Sequence, residues 1–359
     1  MTSWTDFLAL RGGTFDNFGV TGFSAPEAEL AAARDAAVMC DLAPLAALRV
    51  AGEDAANFLQ GQFTNDVTAI EPGAAQYSAW CSAKGRMLAN FLLLRTGAAA
   101  FEILLPSSLV AAVRKRLAMF VLRSKVTIDD ASGENVRIGV GGPTAASALR
   151  AASVDVPSPF RWRALGGGWI VGIAGGRYIA SLTPVDAELF WEQVAPHARP
   201  AGFPVWEWLT IRAGVPIVTA PTTERLVPQM ANWDLLDGVS FRKGCYTGQE
   251  IVARTQYLGR LKERTVLAHV AAPPPAPGAK LYSPMFGDQA CGTVLSAAPS
   301  PDGGSDFLAA LQVAATERGD IRIGGPEGDA IALLPLPYSL PEIPTKVAAL
   351  SQAPQGRSG

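Results

Sequence analysis

Histidine is nearly absent from this chain: His197 and His269 are the only two in 359 residues. A Cys–His nucleophile would have to recruit one of them, and a metal site would need mostly carboxylates or cysteines. The four cysteines, Cys40, Cys81, Cys245 and Cys291, form no CxxC element, so neither a zinc site nor a redox dithiol is indicated. No stretch approaches the ~18 apolar residues of a membrane span, and Arg95 and Arg123 interrupt the better candidates. The start, MTSWTDFLALRGG, has no cationic segment followed by an apolar one, so no signal peptide is read. A cytoplasmic setting with free thiols is expected. A net charge of -2 argues against direct nucleic-acid binding, which needs a concentrated basic surface. No GxGxxG or Walker pattern follows a strand, so nucleotide binding is unsupported.

What is present describes an ordinary folded chain, 49% hydrophobic and 17% charged, long enough for two or three domains. Helical and extended patterns alternate irregularly, which predicts α+β rather than a doubly wound sheet. The Ala-rich run Glu27 to Val38 reads as a helix. Gln76 to Cys81 and Arg86 to Leu94 read as strands joined by Ser82-Ala83-Lys84-Gly85, a hairpin-type connection. From Lys262 onward the pattern is all-β, a small barrel or sandwich. A monomer is expected, since no heptad or long apolar edge appears.

The most informative stretch is Lys243-Gly244-Cys245-Tyr246-Thr247-Gly248-Gln249-Glu250. Thr247 and Glu250 have the spacing of a capping box, and Gly259 reads as the helix stop. Cys245 would then lie near the positive end of a helix, beside Arg242 and Lys243, the setting of reactive and metal-binding cysteines. The alternative is a buried small hydrophobe, the usual fate of a free cysteine. Both readings stand on spacing alone. Farther upstream, Trp206 and Trp208 follow Phe203 in a helical segment. Two residues apart, they cannot both face one side, so one is expected in the core and one free.

The octapeptide, continued by Ile251-Val252-Ala253-Arg254, resembles the signature of the YgfZ family, folate-binding proteins of iron–sulfur cluster assembly and repair. Their wider superfamily includes the aminomethyltransferase of glycine cleavage, the T-protein. Phe58-Leu59-Gln60-Gly61-Gln62 with Thr64-Asn65-Asp66-Val67, the Lys84-Gly85-Arg86 hairpin, Ala213-Gly214-Val215-Pro216, Val227-Pro228-Gln229 and Pro335 to Leu340 fit the same family in order. The resemblance implies an α+β, T-protein-like ring of three domains around a folate-sized cavity. These would be residues 1–45 with 127–255, residues 46–126, and a C-terminal β-barrel at 256–346, followed by a frayed tail at 347–359. It also implies that Cys245 faces the cavity.

Tetrahydrofolate or a one-carbon derivative is the implied cofactor, and iron–sulfur client proteins, including tRNA-modifying radical enzymes, are the implied partners. Trp206 falls where relatives place a folate-contacting tryptophan. Lys84 and Arg86 are candidates for the anionic glutamyl tail, and a solvated hairpin tip is the alternative, favoured for at least one of them. Asn65 and Asp66 would hold the turn lining the pocket, and Glu224 could accept from the pterin's N–H groups. Where aminomethyltransferases carry paired aspartates, this chain has Ala89-Asn90, which cannot act as a base. The implied role is therefore an accessory factor using the Cys245 thiolate. A tetrahydrofolate-dependent aminomethyltransferase and a non-catalytic folate-binding scaffold are the alternatives.

Overall fold

The computed structural model describes residues 3–257 and 261–341. The expected helix stop at Gly259 and the tail at 347–359 lie outside the described residues. Within them the chain builds two sheets of five and six strands, a two-stranded ribbon and a closed six-stranded barrel. This is the α+β architecture with a C-terminal barrel that the pattern predicts.

The five-stranded sheet runs in the order Ala75–Cys81, Met87–Gly97, Ala100–Pro106, Leu45–Ala51, Thr127–Asp130, antiparallel throughout. Residues Met87 to Leu94 are buried on both faces, which explains their near-continuous apolar run. The helix Ser107–Ala118 covers part of the sheet with Leu109, Val110, Val113 and Leu117, an apolar stripe at helical spacing. Thr127–Asp130 pairs with Leu45–Ala51, so the expected domain break between 126 and 127 falls inside this sheet.

The six-stranded sheet is ordered Trp162–Leu165, Gly168–Ile173, Arg177–Leu182, Val136–Gly141, Val38–Asp41, Arg199–Ala201. Its last pair is parallel. The strand Val38–Asp41 is a correction: the Ala-rich helix stops at Asp35, and the chain leaves helical geometry at Ala36. Val-Met-Cys then enters the sheet completely buried.

The barrel closes through Glu263–Val270, Ser305–Gln312, Ala290–Pro299, Lys280–Tyr282, Arg322–Ile323 and Asp329–Leu334. One buried carboxylate fastens it to the helix Phe203–Arg212. Asp306 accepts from Trp208 Nε1 at 2.9 Å and pairs with His269 Nδ1 at 2.9 Å. A second tie is the buried pair Arg264–Asp234, bidentate at 2.6 and 2.9 Å, which links the barrel to the loop region before Cys245.

Candidate functional site

Cys245 is exposed, and the other three cysteines are buried. The helix after it spans Gln249–Tyr257, so the expected capping box at Thr247 and Glu250 does not form. Gly248, at φ +82, takes the position before the helix, and its carbonyl receives the first helical bond from Val252 N–H at 3.3 Å. Cys245 therefore lies outside the first turn of this helix. The helix is held by Val252, its one fully buried side chain, and by Gln229 Nε2, which donates to the Val252 carbonyl at 2.8 Å.

Lys243 does not flank the sulfur as a free cation. Its side chain turns inward, and Nζ donates to the carbonyls of Gln60, Phe63 and Asn65 at 2.7, 2.5 and 2.9 Å. Burial pushes its ammonium down to about 8, with Asp66 opposing that shift. The cage explains why the two motifs belong together: the turn after residue 58 supplies the acceptors and the cysteine loop supplies the donor. Gln60 and Asp66 are occupied with shaping that turn. Gln60 accepts from Val67 N–H, and Asp66 Oδ1 accepts from Gln60, Thr68 and Ala69. Those bonds, Thr68's first, hold the Asp66 carboxyl below its ordinary range. Tyr246 lies in the same packing, its ring centroid 5.1 Å from Lys243 Nζ. Its phenol is pushed up by burial and by Cys81.

Two glycines lock the loop onto the hairpin. Gly85 closes the tip through a 2.8 Å bond to the Ser82 carbonyl, at φ +67. A Cβ on Gly248 would lie 2.4 Å from the Ser82 carbonyl oxygen, and a Cβ on Gly85 would lie 2.8 Å from Ile251. Neither position has room for a side chain, and neither φ suits one. Gly244, by contrast, faces open space. Beside this junction the Ser82 hydroxyl is buried without a hydrogen-bond partner.

A separate cleft of ≈ 600 Å³ opens between the five-stranded sheet and the segments around 160 and 234–242. That volume is in the range of small-molecule sites, roughly 300–1,000 Å³. Tyr77, Phe160 and Phe241 give it aromatic walls, and Tyr77 meets Phe160 edge to face at 5.0 Å. Arg242 stands on its rim. Gln76 also lines it, and its buried Nε2 has no partner. Asn65 ties two walls together, since its Nδ2 donates to the carbonyls of Tyr77 and Asp237 at 2.9 and 2.6 Å.

Of the residues nominated from the sequence for folate, only Asn65 lines this cleft. Trp206 and Trp208 are both core residues at 6% exposure, so neither is free. Trp206 packs on Gly139, with Arg177 over its ring at 5.2 Å, and Trp208 reaches Asp306 in the barrel. Helix packing against a sheet on one side and the barrel on the other buries both faces. Lys84 is an exposed hairpin tip. The Arg86 guanidinium donates to the Arg225 carbonyl. Glu224 is exposed at φ +57, its N–H bonded to the Met87 carbonyl at 2.8 Å. These three gather at the hairpin that carries the cysteine loop rather than at the cleft. Gln76, Tyr77, Phe160 and Phe241 escaped the sequence reading, because a Gln and a Tyr in a strand have no local signature of a binding wall.

Asn90 is fully engaged: its Nδ2 donates to the Pro216 carbonyl at 2.7 Å, and its Oδ1 accepts from Val218 N–H at 2.7 Å. It clamps a loop.

Comparison with known proteins places this arrangement. Residues 14–203 match the model of the GCVT N-terminal domain. The chain is 31% identical over 299 residues to the "tRNA-modifying protein YgfZ" of Sodalis glossinidius, covering 81% of this chain and 90% of that protein. It is 32% identical over 302 residues to the protein of the same name from Yersinia pestis (strain Pestoides F), covering 83% and 91%. Its fold is that of the glycine cleavage system aminomethyltransferase T from Bartonella henselae, with a TM-score of 0.77 at 17% identity, over 92% of this chain and 95% of that one.

Proposed function

The chain belongs to the YgfZ family, with a T-protein-like fold, and from that premise we propose that it is a folate-binding accessory factor for building or restoring iron–sulfur clusters in client enzymes. Enzymes that modify tRNA would be among the clients, which brings in the role carried by the relatives' names without direct RNA contact. One observation carries the reading: the only exposed cysteine stands on a loop fixed from below by the Lys243 cage and from the side by the Gly85–Gly248 junction.

Among the described residues no three His, Cys, Asp or Glu side chains converge as a metal site. Clusters usually take four protein ligands, so Cys245 acts as a transient thiolate ligand shared with the client. The cluster is cargo.

A reduced folate suits the chemistry of the cleft better than that of the hairpin. Tyr77, Phe160 and Phe241 would flank its rings, the unpartnered Gln76 Nε2 would donate to a ring acceptor, and Arg242 would meet the glutamyl carboxylates. Folate would supply one-carbon carrying capacity. The aminomethyltransferase alternative has less support, because Asn90 is neutral and both ends of its amide are occupied.

The test is complementation. A strain lacking the native gene receives wild type or Cys245→Ala, and a cluster-dependent tRNA-thiolating enzyme is assayed. Loss of rescue with tetrahydrofolate affinity unchanged is expected. Full rescue by the variant would reduce the protein to a folate-binding scaffold.

A further inference from the structure

The corner after the helix Ser107–Ala118 holds a surface that the proposed chemistry does not use. Met119, Phe120 and Leu122 are 63%, 40% and 89% exposed. Soluble chains scatter single apolar side chains over their surface; three within four residues form a patch. Leu122 is held at φ +46, a conformation that disfavours a branched side chain, yet burial does not reward it. Beside them, Phe120 and the residues up to Ser124 form one wall of a shallow depression, with Asn57 and Phe58 opposite.

The patch is rimmed by cations. Arg114, Lys115, Arg116 and Arg123 are exposed, and none is in an ion pair among the described residues. The nearby carboxylates are largely engaged. Glu53 pairs with Lys125, Asp54 accepts the Lys125 N–H, and Asp130 accepts from Ser132. Exposed cations thus flank the apolar side chains along the chain, with Arg114 turned to the Ile128 carbonyl near Asp130 and Lys115, Arg116 and Arg123 left for a partner.

A chain of contacts runs from the patch toward the sulfur loop. Phe120 and Arg116 both lie on the buried Trp80, at 6.2 and 5.8 Å from its ring. Trp80 is followed by Cys81, a neighbour of Tyr246, and then by the hairpin that receives Gly248.

We propose that this corner docks an acidic, apolar-bearing protein segment of a client, holding the client beside Cys245. The cations select carboxylates, and Met119, Phe120 and Leu122 take the segment's apolar side chains. Aliphatic Met and Leu, which offer no ring for a base to stack on, favour a protein over RNA. The inference names the partner class of the accessory-factor reading and rests on that reading for the partner's purpose.

The probe is a short fluorescein-labelled peptide in which Glu and Asp alternate with Leu and Phe, titrated by anisotropy with the full chain. Wild type should bind it, and bind a poly-Glu peptide more weakly. Arg116→Glu/Arg123→Glu should weaken binding at least roughly ten-fold. Leu122→Gly relieves the positive φ, so it should fold at least as well as wild type and still lose affinity. No wild-type binding, undiminished wild-type affinity in Leu122→Gly and in the charge variant, or stronger binding to a single-stranded RNA or to phosphatidylglycerol vesicles would overturn the proposal. The outcomes separate from the complementation test. Peptide binding that is lost in the corner variants but kept by a Cys245→Ala protein that rescues fully would leave the dock standing without the sulfur chemistry. Corner variants that bind normally while Cys245→Ala fails to rescue would do the reverse.

Discussion

The cysteine loop and the aromatic cleft lie on either side of Asn65 and use polar groups in opposite ways. Around Cys245 nearly every named motif residue holds backbone: Lys243 grips three carbonyls, Gln60 and Asp66 shape the turn that offers them, and Gly248 lets two chain segments touch. Apart from the Ser82 hydroxyl, little is left over except the thiol. The cleft keeps an unpartnered Gln76 amide and an exposed Arg242 facing open volume. A dense motif can thus be mostly scaffold for one exposed atom, while a candidate ligand site is marked by groups that the fold leaves unsatisfied.

That contrast is most exposed at Gly248. Gly248→Ala forces a Cβ against the Ser82 carbonyl at an unfavourable φ, and should cost about 3 kcal/mol in chemical denaturation. An unchanged midpoint would break the scaffold half of the comparison. Lys243→Met, which strands three carbonyls, one buried and two partly buried, should cost ~2 kcal/mol. It also carries a pH signature. Burial sets the folded ammonium near 8, below its ordinary 10.5, so the unfolded chain holds a proton there that the folded chain sheds. Wild type should therefore gain stability relative to Lys243→Met as pH rises from 8 toward 10.5, read by urea midpoints across that window. In the cleft, Gln76→Leu should weaken tetrahydrofolate binding roughly ten-fold, about 1.4 kcal/mol, with stability unchanged, in a calorimetric titration. An equal loss in Lys84→Ala would move the ligand to the hairpin instead. The smallest effect is expected at Gly244→Ala, within ~0.5 kcal/mol, because nothing lies within 4 Å of the added carbon.

The hairpin and the barrel were legible because turn residues and alternating strands act locally. Val38–Asp41 was hidden by its all-apolar character, which a strand buried on both faces shares with a helix end. Thr247 and Glu250 have the spacing of a cap, but the approach of the hairpin fixes Gly248 as the residue before the helix. Trp206 shows the limit for sites: an indole suits stacking and core packing equally, and only its packing on the six-stranded sheet decides between them. The cleft was illegible because its walls come from segments far apart in sequence.

Asn65 belongs to both regions. Its carbonyl receives Lys243, and its amide joins the cleft walls at Tyr77 and Asp237. One residue is thus a shared hinge pin for an occupant of the cleft and for the platform under the sulfur. If filling the cleft makes alkylation of Cys245 more or less favourable, reciprocity requires that alkylation alter affinity in the cleft by the same factor and in the same sense.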